Sequence, residues 1–104
     1  LYLYSQGHDD EIISQMFEML LTRAPELGDE IQHSIDGHDG NGLKRSAHSA
    51  KGILNTIGME TAAQHALEIE KSVDAGDMEG AEQRARLLLQ ELSKLIKLIK
   101  LDRK

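Results

Sequence analysis

Apolar residues along the chain recur at intervals of three and four, which is the spacing of one face of an α-helix. No segment shows the strict alternation of apolar and polar residues that is typical of a β-strand. The pattern therefore predicts an all-α protein. The longest stripe, in the last third of the chain, has the 4-3-4 rhythm of a seam between packed helices, and comprises Ala81, Ala85, Leu88, Leu92, Leu95 and Ile99.

The first third of the chain is predicted to form two helices. The first spans residues 9–22, with Asp9 or Asp10 as its N-cap. The second spans residues 24–36, because Pro25 favours the first turn of a new helix. The inner stripe of the two helices comprises Ile13, Phe17, Leu20, Leu21, Leu27, Ile31 and Ile35.

Three further helices follow a glycine-rich break. The third starts with Asp39 or Asn41 as its cap and ends near Gly58, and the fourth and fifth span residues 59–75 and 78–101. Long helices with short connections form antiparallel bundles. The predicted fold is an antiparallel four-helix bundle with an additional short leading helix. The bundle domain covers residues 8–104, and residues 1–7 are interpreted as a linker or a cloning remnant.

Composition narrows the classes of function. A length of 104 residues suits one domain. The net charge of −6 argues against nucleic acid as a partner. The absence of cysteine excludes disulfides and thiolate metal sites, and no apolar run approaches the length of a membrane span.

The third helix carries an exposed histidine. At 100° per residue, its core line lies about 140° from His48, so the imidazole is predicted to face solvent. The core line comprises Leu43, Ala47, Ala50, Leu54 and Ile57. The residues around the histidine on the same face are all polar or lack a side chain, and comprise Lys44, Arg45, Lys51, Gly52 and Asn55.

Two features of this patch suggest chemistry on the ring. Three cations in an acidic protein would attract an anion, and a phosphoryl group on His48 is the obvious candidate. Gly52 costs the helix up to about 1 kcal/mol relative to alanine. No turn or cap requires a glycine at that position, so we expect close approach by another molecule.

Glu70, on the fourth helix, is predicted to point inward. It falls within about 40° of the line through Ala66, Ile69 and Val73, and a carboxylate facing apolar surface requires a partner. His48 is roughly 15 Å and Glu70 roughly 18 Å from the turn that joins their helices, so the two are nearly level. Glu70 could then accept a hydrogen bond from one ring nitrogen, which fixes the tautomer.

The other histidines are interpreted as inert surface residues, and comprise His8, His33, His38 and His65. None of them is spaced as a metal-ligand pair such as H-x-x-x-H, so no metal site is expected. An alternative function is a structural helical module that binds an acidic partner through Lys44, Arg45 and Lys51, without chemistry.

The segment "AHSAKG" (47–52), the glycine of "NTIG" (55–58) and the preceding "GHDGNG" (37–42) resemble the histidine-containing phosphotransfer (HPt) domain family. The resemblance covers roughly residues 8–100. It implies a four-helix bundle with an extra leading helix and His48 as the phosphoryl acceptor. Lys51 would help to neutralise the phosphoryl group, Gly52 would let a receiver domain approach, and Glu70 would lie against the imidazole. The wider contact set for the phosphoryl group and the receiver would also include Lys44, Arg45 and Asn55.

The resemblance also implies a phosphocarrier and not an enzyme. The phosphoryl group would come from a receiver-domain aspartate, or from a histidine kinase domain, and pass to the receiver of a response regulator. No cofactor is expected here, since Mg²⁺ and catalysis belong to the receiver. We expect a monomeric, cytoplasmic domain, either free-standing or part of a hybrid sensor kinase, that contacts neither nucleic acid nor membrane.

Overall fold

The computed structural model describes residues 10–102, and within them the side chains of residues 14–101. This part of the chain forms four helices and no strands: α1 (Asp10–Asp36), α2 (Gly40–Thr56), α3 (Glu60–Asp74) and α4 (Met78–Asp102). The predicted all-α, four-helix fold is confirmed. The interpretation of residues 1–7, the role of His8 and the capping roles of Asp9 and Asp10 lie outside the described residues and side chains, as does the side chain of Ile13.

The separate leading helix is a wrong prediction, because residues 10–36 form one helix with Pro25 inside it. Proline removes one helical hydrogen bond and crowds the preceding turn, which disfavours a helix interior by roughly 3 kcal/mol. The apolar stripe nevertheless continues through this point, since Ala24 is 2% and Leu27 is 1% exposed. Burial of a continuous stripe against the other helices offsets the local cost of the proline.

The turns between helices follow from a few residues. Asp39 caps α2, because its Oδ1 accepts a hydrogen bond from the Gly42 amide at 3.0 Å. Asp77 accepts from the Gly80 amide at 2.9 Å in the same way. Gly58 and Gly76, which follow α2 and α3, have φ values of 80° and 76°, a left-handed conformation that glycine adopts at little cost.

The order of contacts between α2 and α3 is that of antiparallel neighbours. Lys44 of α2 contacts Asp74 of α3, while Lys51, two turns later, contacts Glu70, earlier in α3. The predicted stripes converge on one core that all four helices share. Side chains buried to 1% exposure or less include Leu20, Leu27, Ile31, Leu43, Leu54, Ile69, Leu88 and Ile99.

None of the helices in the described part of the chain is long and apolar enough to cross a membrane.

Candidate functional site

His48 lies on the exposed side of α2, midway along the helix. Its side chain is 72% exposed, whereas the nearby Ala47 and Ala50 are fully buried. The imidazole faces outward, as expected from the sequence. The reason is that polar and apolar residues lie on opposite faces of α2. The ring is therefore accessible to a second molecule.

Glu70 projects from α3 toward this ring. Its side chain is 14% exposed, and its Oε1 lies 3.6 Å from Nδ1 of His48. The two helices thus bring the residues level, as the predicted geometry required. The separation exceeds that of a hydrogen bond, so the ring and the carboxylate are adjacent without being bonded.

Lys51, one turn after His48 on α2, contacts the same carboxylate. Its Nζ lies 2.8 Å from the same Oε1 atom, and the lysine side chain is 25% exposed. The separation is that of an ion pair, but the angles at the contact are not those of a hydrogen bond. This buried oxygen has no hydrogen-bond partner among the described residues. A buried acceptor without a hydrogen bond lowers the stability of the protein. This oxygen can therefore accept a hydrogen bond from a donor that approaches it.

Lys44 forms a second ion pair between α2 and α3. Its Nζ lies 2.6 Å from Oδ1 of Asp74, and this hydrogen bond raises the pKa of the lysine above its usual value. Asp74 was not among the residues singled out from sequence. A signal was present, since Asp74 lies four residues after Glu70 and Lys44 four residues before His48, which makes the two pairs level in antiparallel helices.

An open depression of about 520 Å³ lies beside His48. Its walls come from α2 and α3, and the lining comprises Asn41, Lys44, Arg45, His48, Ser49 and Glu70. Arg45 is exposed and forms no salt bridge with another described residue, while Asn55 is exposed two turns beyond the histidine. Asn41 and Ser49 were not singled out from sequence, because short polar residues on an exposed helix carry no distinctive signal.

Gly52 is exposed on α2, one turn after His48. Apart from its chain neighbours and the backbone of its own helix, a Cβ atom at this position would have no described atom within 4 Å. No packing contact inside the described protein therefore requires a glycine here. A larger residue would therefore fit at this position in the described structure.

The remaining described histidines do not join this site. His33 is exposed and His65 is half-buried, while His38 Nδ1 lies 2.9 Å from Glu82 Oε2, which ties the first turn to α4. Within the residues described, no three histidine, aspartate or glutamate side chains are grouped so that they could hold a metal ion.

Residues 15–97 match the family model of the Hpt domain. The match spans all of α2 and α3 and most of α1 and α4. Searches of curated proteins and of solved structures gave no significant match.

Proposed function

Because the chain belongs to the Hpt domain family, whose members act in phosphotransfer in two-component signalling, we propose that His48 accepts a phosphoryl group and passes it on. The observation that supports this best is the environment of its ring. One nitrogen, Nδ1, lies 3.6 Å from a buried carboxylate oxygen of Glu70 that has no hydrogen-bond partner among the described residues. The exposed ring leaves the other nitrogen, Nε2, open to a partner.

The proposed step forms one bond and breaks one bond. The Nε2 lone pair attacks the phosphorus of an aspartyl phosphate, an N–P bond forms, and the P–O bond to the aspartate breaks. The aspartate leaves as a carboxylate. Glu70 accepts the Nδ1 proton in a hydrogen bond, which keeps the Nε2 lone pair available and stabilises the positive charge that develops on the ring.

The nearby cations would stabilise the product. A phosphoryl group adds negative charge and strong acceptor oxygens beside the ring. Lys51 lies one turn from His48, so its ammonium can exchange its contact with Glu70 for a contact with the phosphoryl oxygens. Arg45, which forms no salt bridge with another described residue, can approach the same oxygens.

The partners would be receiver domains, since the proposed transfer needs an aspartate, a Mg²⁺ site and catalytic groups that a receiver supplies. Gly52 would provide the close approach that such a domain needs. The same site can work in either direction, because attack by a receiver aspartate on the N–P bond reverses the step. A histidine kinase domain is the other source of the phosphoryl group.

The alternative function, binding of an acidic partner through Lys44, Arg45 and Lys51 without chemistry, has weaker support. Lys44 is paired with Asp74 and Lys51 with Glu70. An acidic partner would have to displace both carboxylates, and only Arg45 would offer a charge without competition. A phosphoryl group on His48 is held by its N–P bond, so it stays at the site whether or not Lys51 leaves Glu70.

The test is transfer of radioactive phosphate from a labelled receiver domain to this chain. We expect label that is stable in alkali and lost in acid, as phosphohistidine is. His48→Gln should remain folded, since the change is at the surface, and should accept no label. His33→Gln, a matched change of an exposed histidine on α1, should accept label at the parent rate. Label that persists in His48→Gln would refute the assignment.

A further inference from the structure

The outward side of α4 carries leucines that the core does not use. Leu87, Leu98 and Leu101 are 44%, 56% and 68% exposed. At 100° per residue they fall within about 60° of one another, on a line of about 21 Å along the helix. The core stripe of the same helix lies on its other side. α4 therefore has a second, narrower apolar line that faces away from the bundle.

Positive charge surrounds this line. Between residues 84 and 101 the chain has five cationic side chains and a single carboxylate, although its net charge is −6. The cations are Arg84, Arg86, Lys94, Lys97 and Lys100, and all are exposed. Two of them have only long contacts with carboxylates, namely Lys94 with Glu91 at 3.7 Å and Arg86 with Glu82 at 3.9 Å. The other three form no salt bridge with a described residue.

The position of α4 separates this surface from the candidate transfer site. α4 packs mainly against α1 and α3 and has few contacts with α2. It is therefore diagonal to the helix that carries His48. A molecule bound to the outward side of α4 would leave the imidazole open to a receiver.

We propose that the outer α4 face, defined by Leu87, Lys94, Lys97, Leu98 and Leu101, docks an acidic amphipathic helix of a partner protein. Leucines on the partner would cover the exposed leucines, and flanking carboxylates would pair with the lysines. The proposal does not depend on the role of His48. It describes a docking surface that works independently of phosphoryl transfer.

Two other occupants fit the face less well. A second copy of the chain that used the same face would set Lys94 and Lys97 against the same two lysines, which is unfavourable. An anionic bilayer would receive only three leucines, because the main apolar side of α4 is buried in the bundle, and the remaining surface of this acidic protein would be repelled. Charge complementarity therefore favours an acidic helix.

The first experiment is an NMR titration of the isotope-labelled full chain. The probe is a synthetic helical peptide that has leucines along one face and glutamates on both sides of that face. We expect the amides of residues 84–101 to shift, those of residues 44–55 to stay unchanged, and the affinity to fall as salt is added. A peptide with lysine in place of every glutamate is the control and should not bind.

Two variants examine the leucines and the lysines separately. Leu98→Gln removes one apolar anchor and should weaken peptide binding about tenfold or more. Lys97→Glu reverses one charge at an exposed position and should weaken binding by a similar factor, most strongly at low salt. Lys71→Glu, an equal charge reversal on the exposed surface of α3, is the matched control and should bind as the parent does. Circular dichroism should show full helicity in all three.

Several results would overturn the proposal. They are equal binding of the lysine peptide, peptide shifts centred on residues 44–55, and parent-like binding by both Leu98→Gln and Lys97→Glu. Binding of phosphatidylglycerol vesicles without binding of the peptide would identify a membrane surface instead. A dimer in light scattering that Leu98→Gln abolishes would identify a second copy. Nuclear Overhauser contacts from Tyr2 or Tyr4 to Leu98 would show that the chain covers this face itself.

Discussion

Glu70 links the two side chains that matter most at the candidate site. One carboxylate oxygen lies 2.8 Å from Lys51 and 3.6 Å from the His48 ring. The free protein therefore holds the lysine closer than the imidazole. A phosphoryl group on the ring would attract the lysine away and leave the carboxylate to the Nδ1 proton. We therefore expect Glu70 to pair with Lys51 in the free protein and to position the ring once His48 is phosphorylated.

Glu70→Ala should change the tautomer of neutral His48 and slow phosphoryl acceptance. Without the carboxylate, nothing at the site favours a proton on Nδ1. The ring ¹⁵N chemical shifts report the tautomer directly, and a labelled receiver reports the rate. Asp74→Ala is the matched control, since it removes an equal charge one turn away whose partner is Lys44. If Glu70→Ala and Asp74→Ala leave the same tautomer as in the parent, Glu70 does not orient the ring.

We expect Gly52 to lower the stability of α2 and to leave room for a receiver domain to approach His48. Gly52→Ala should raise the free energy of unfolding by about 0.5–1 kcal/mol, because alanine is the better helix former and open space surrounds the position. Gly52→Gln should slow phosphoryl transfer from a receiver by obstructing its approach. Urea unfolding measures the first effect and transfer kinetics the second. Thr61→Gln, which places the same side chain on exposed α3, should transfer at the parent rate, and equal rates for both glutamine variants would contradict the role of Gly52.

At the level of single helices, α1 shows how packing overrides a local signal. Pro25 lies inside a 27-residue helix, where its ring and missing N–H are unfavourable. Its side chain is exposed, while Ala24 before it and Leu27 after it are buried in the core. The side chain of Pro25 is therefore not part of the core, and another residue could replace it without loss of core packing.

Pro25→Ala should stabilise the protein by about 1–2 kcal/mol. Alanine stabilises the helix by up to about 3 kcal/mol relative to proline. The loss of proline also makes the unfolded chain more flexible, which lowers the free energy of unfolding by about 0.4–1 kcal/mol. Urea unfolding monitored by circular dichroism measures the difference. Pro25→Gly is the control and should gain less, since glycine lacks the helix preference of alanine by about 1 kcal/mol. A loss of stability in Pro25→Ala would mean that the proline shapes α1 in a way that the bundle requires.

Residues 10–102 together form an elongated bundle in which all four helices contribute to the same core. Its dimensions are 44 × 20 × 17 Å, so the structure is about two helices thick in each short direction. In proteins, most of the stability of a helix comes from packing of its apolar face against other elements. The stability of these helices comes from shared burial, and we expect the bundle to unfold in one cooperative transition.

Leu54→Ala in α2 and Leu88→Ala in α4 should each lower the free energy of unfolding by about 2–5 kcal/mol, because both residues are fully buried. Each variant should still show a single urea transition with an unchanged m-value. Leu87→Ala is the matched control, since Leu87 is the exposed neighbour of Leu88, and its stability should stay within about 0.5 kcal/mol of the parent. A variant in which one helix melts separately from the rest would contradict the shared core.

The sequence by itself determined the features that depend on one helix at a time. Helical periodicity placed His48 outward and Glu70 inward, and Asp39, Gly58 and Gly76 marked where helices begin or end. Only the tertiary structure decided what happens between helices. It kept α1 continuous through Pro25, paired Lys51 with Glu70 and Lys44 with Asp74, and left three leucines of α4 outside the core. The physical reason is that periodicity and capping are local, whereas a contact across helices depends on their axial register, their separation and the rotamers of long side chains.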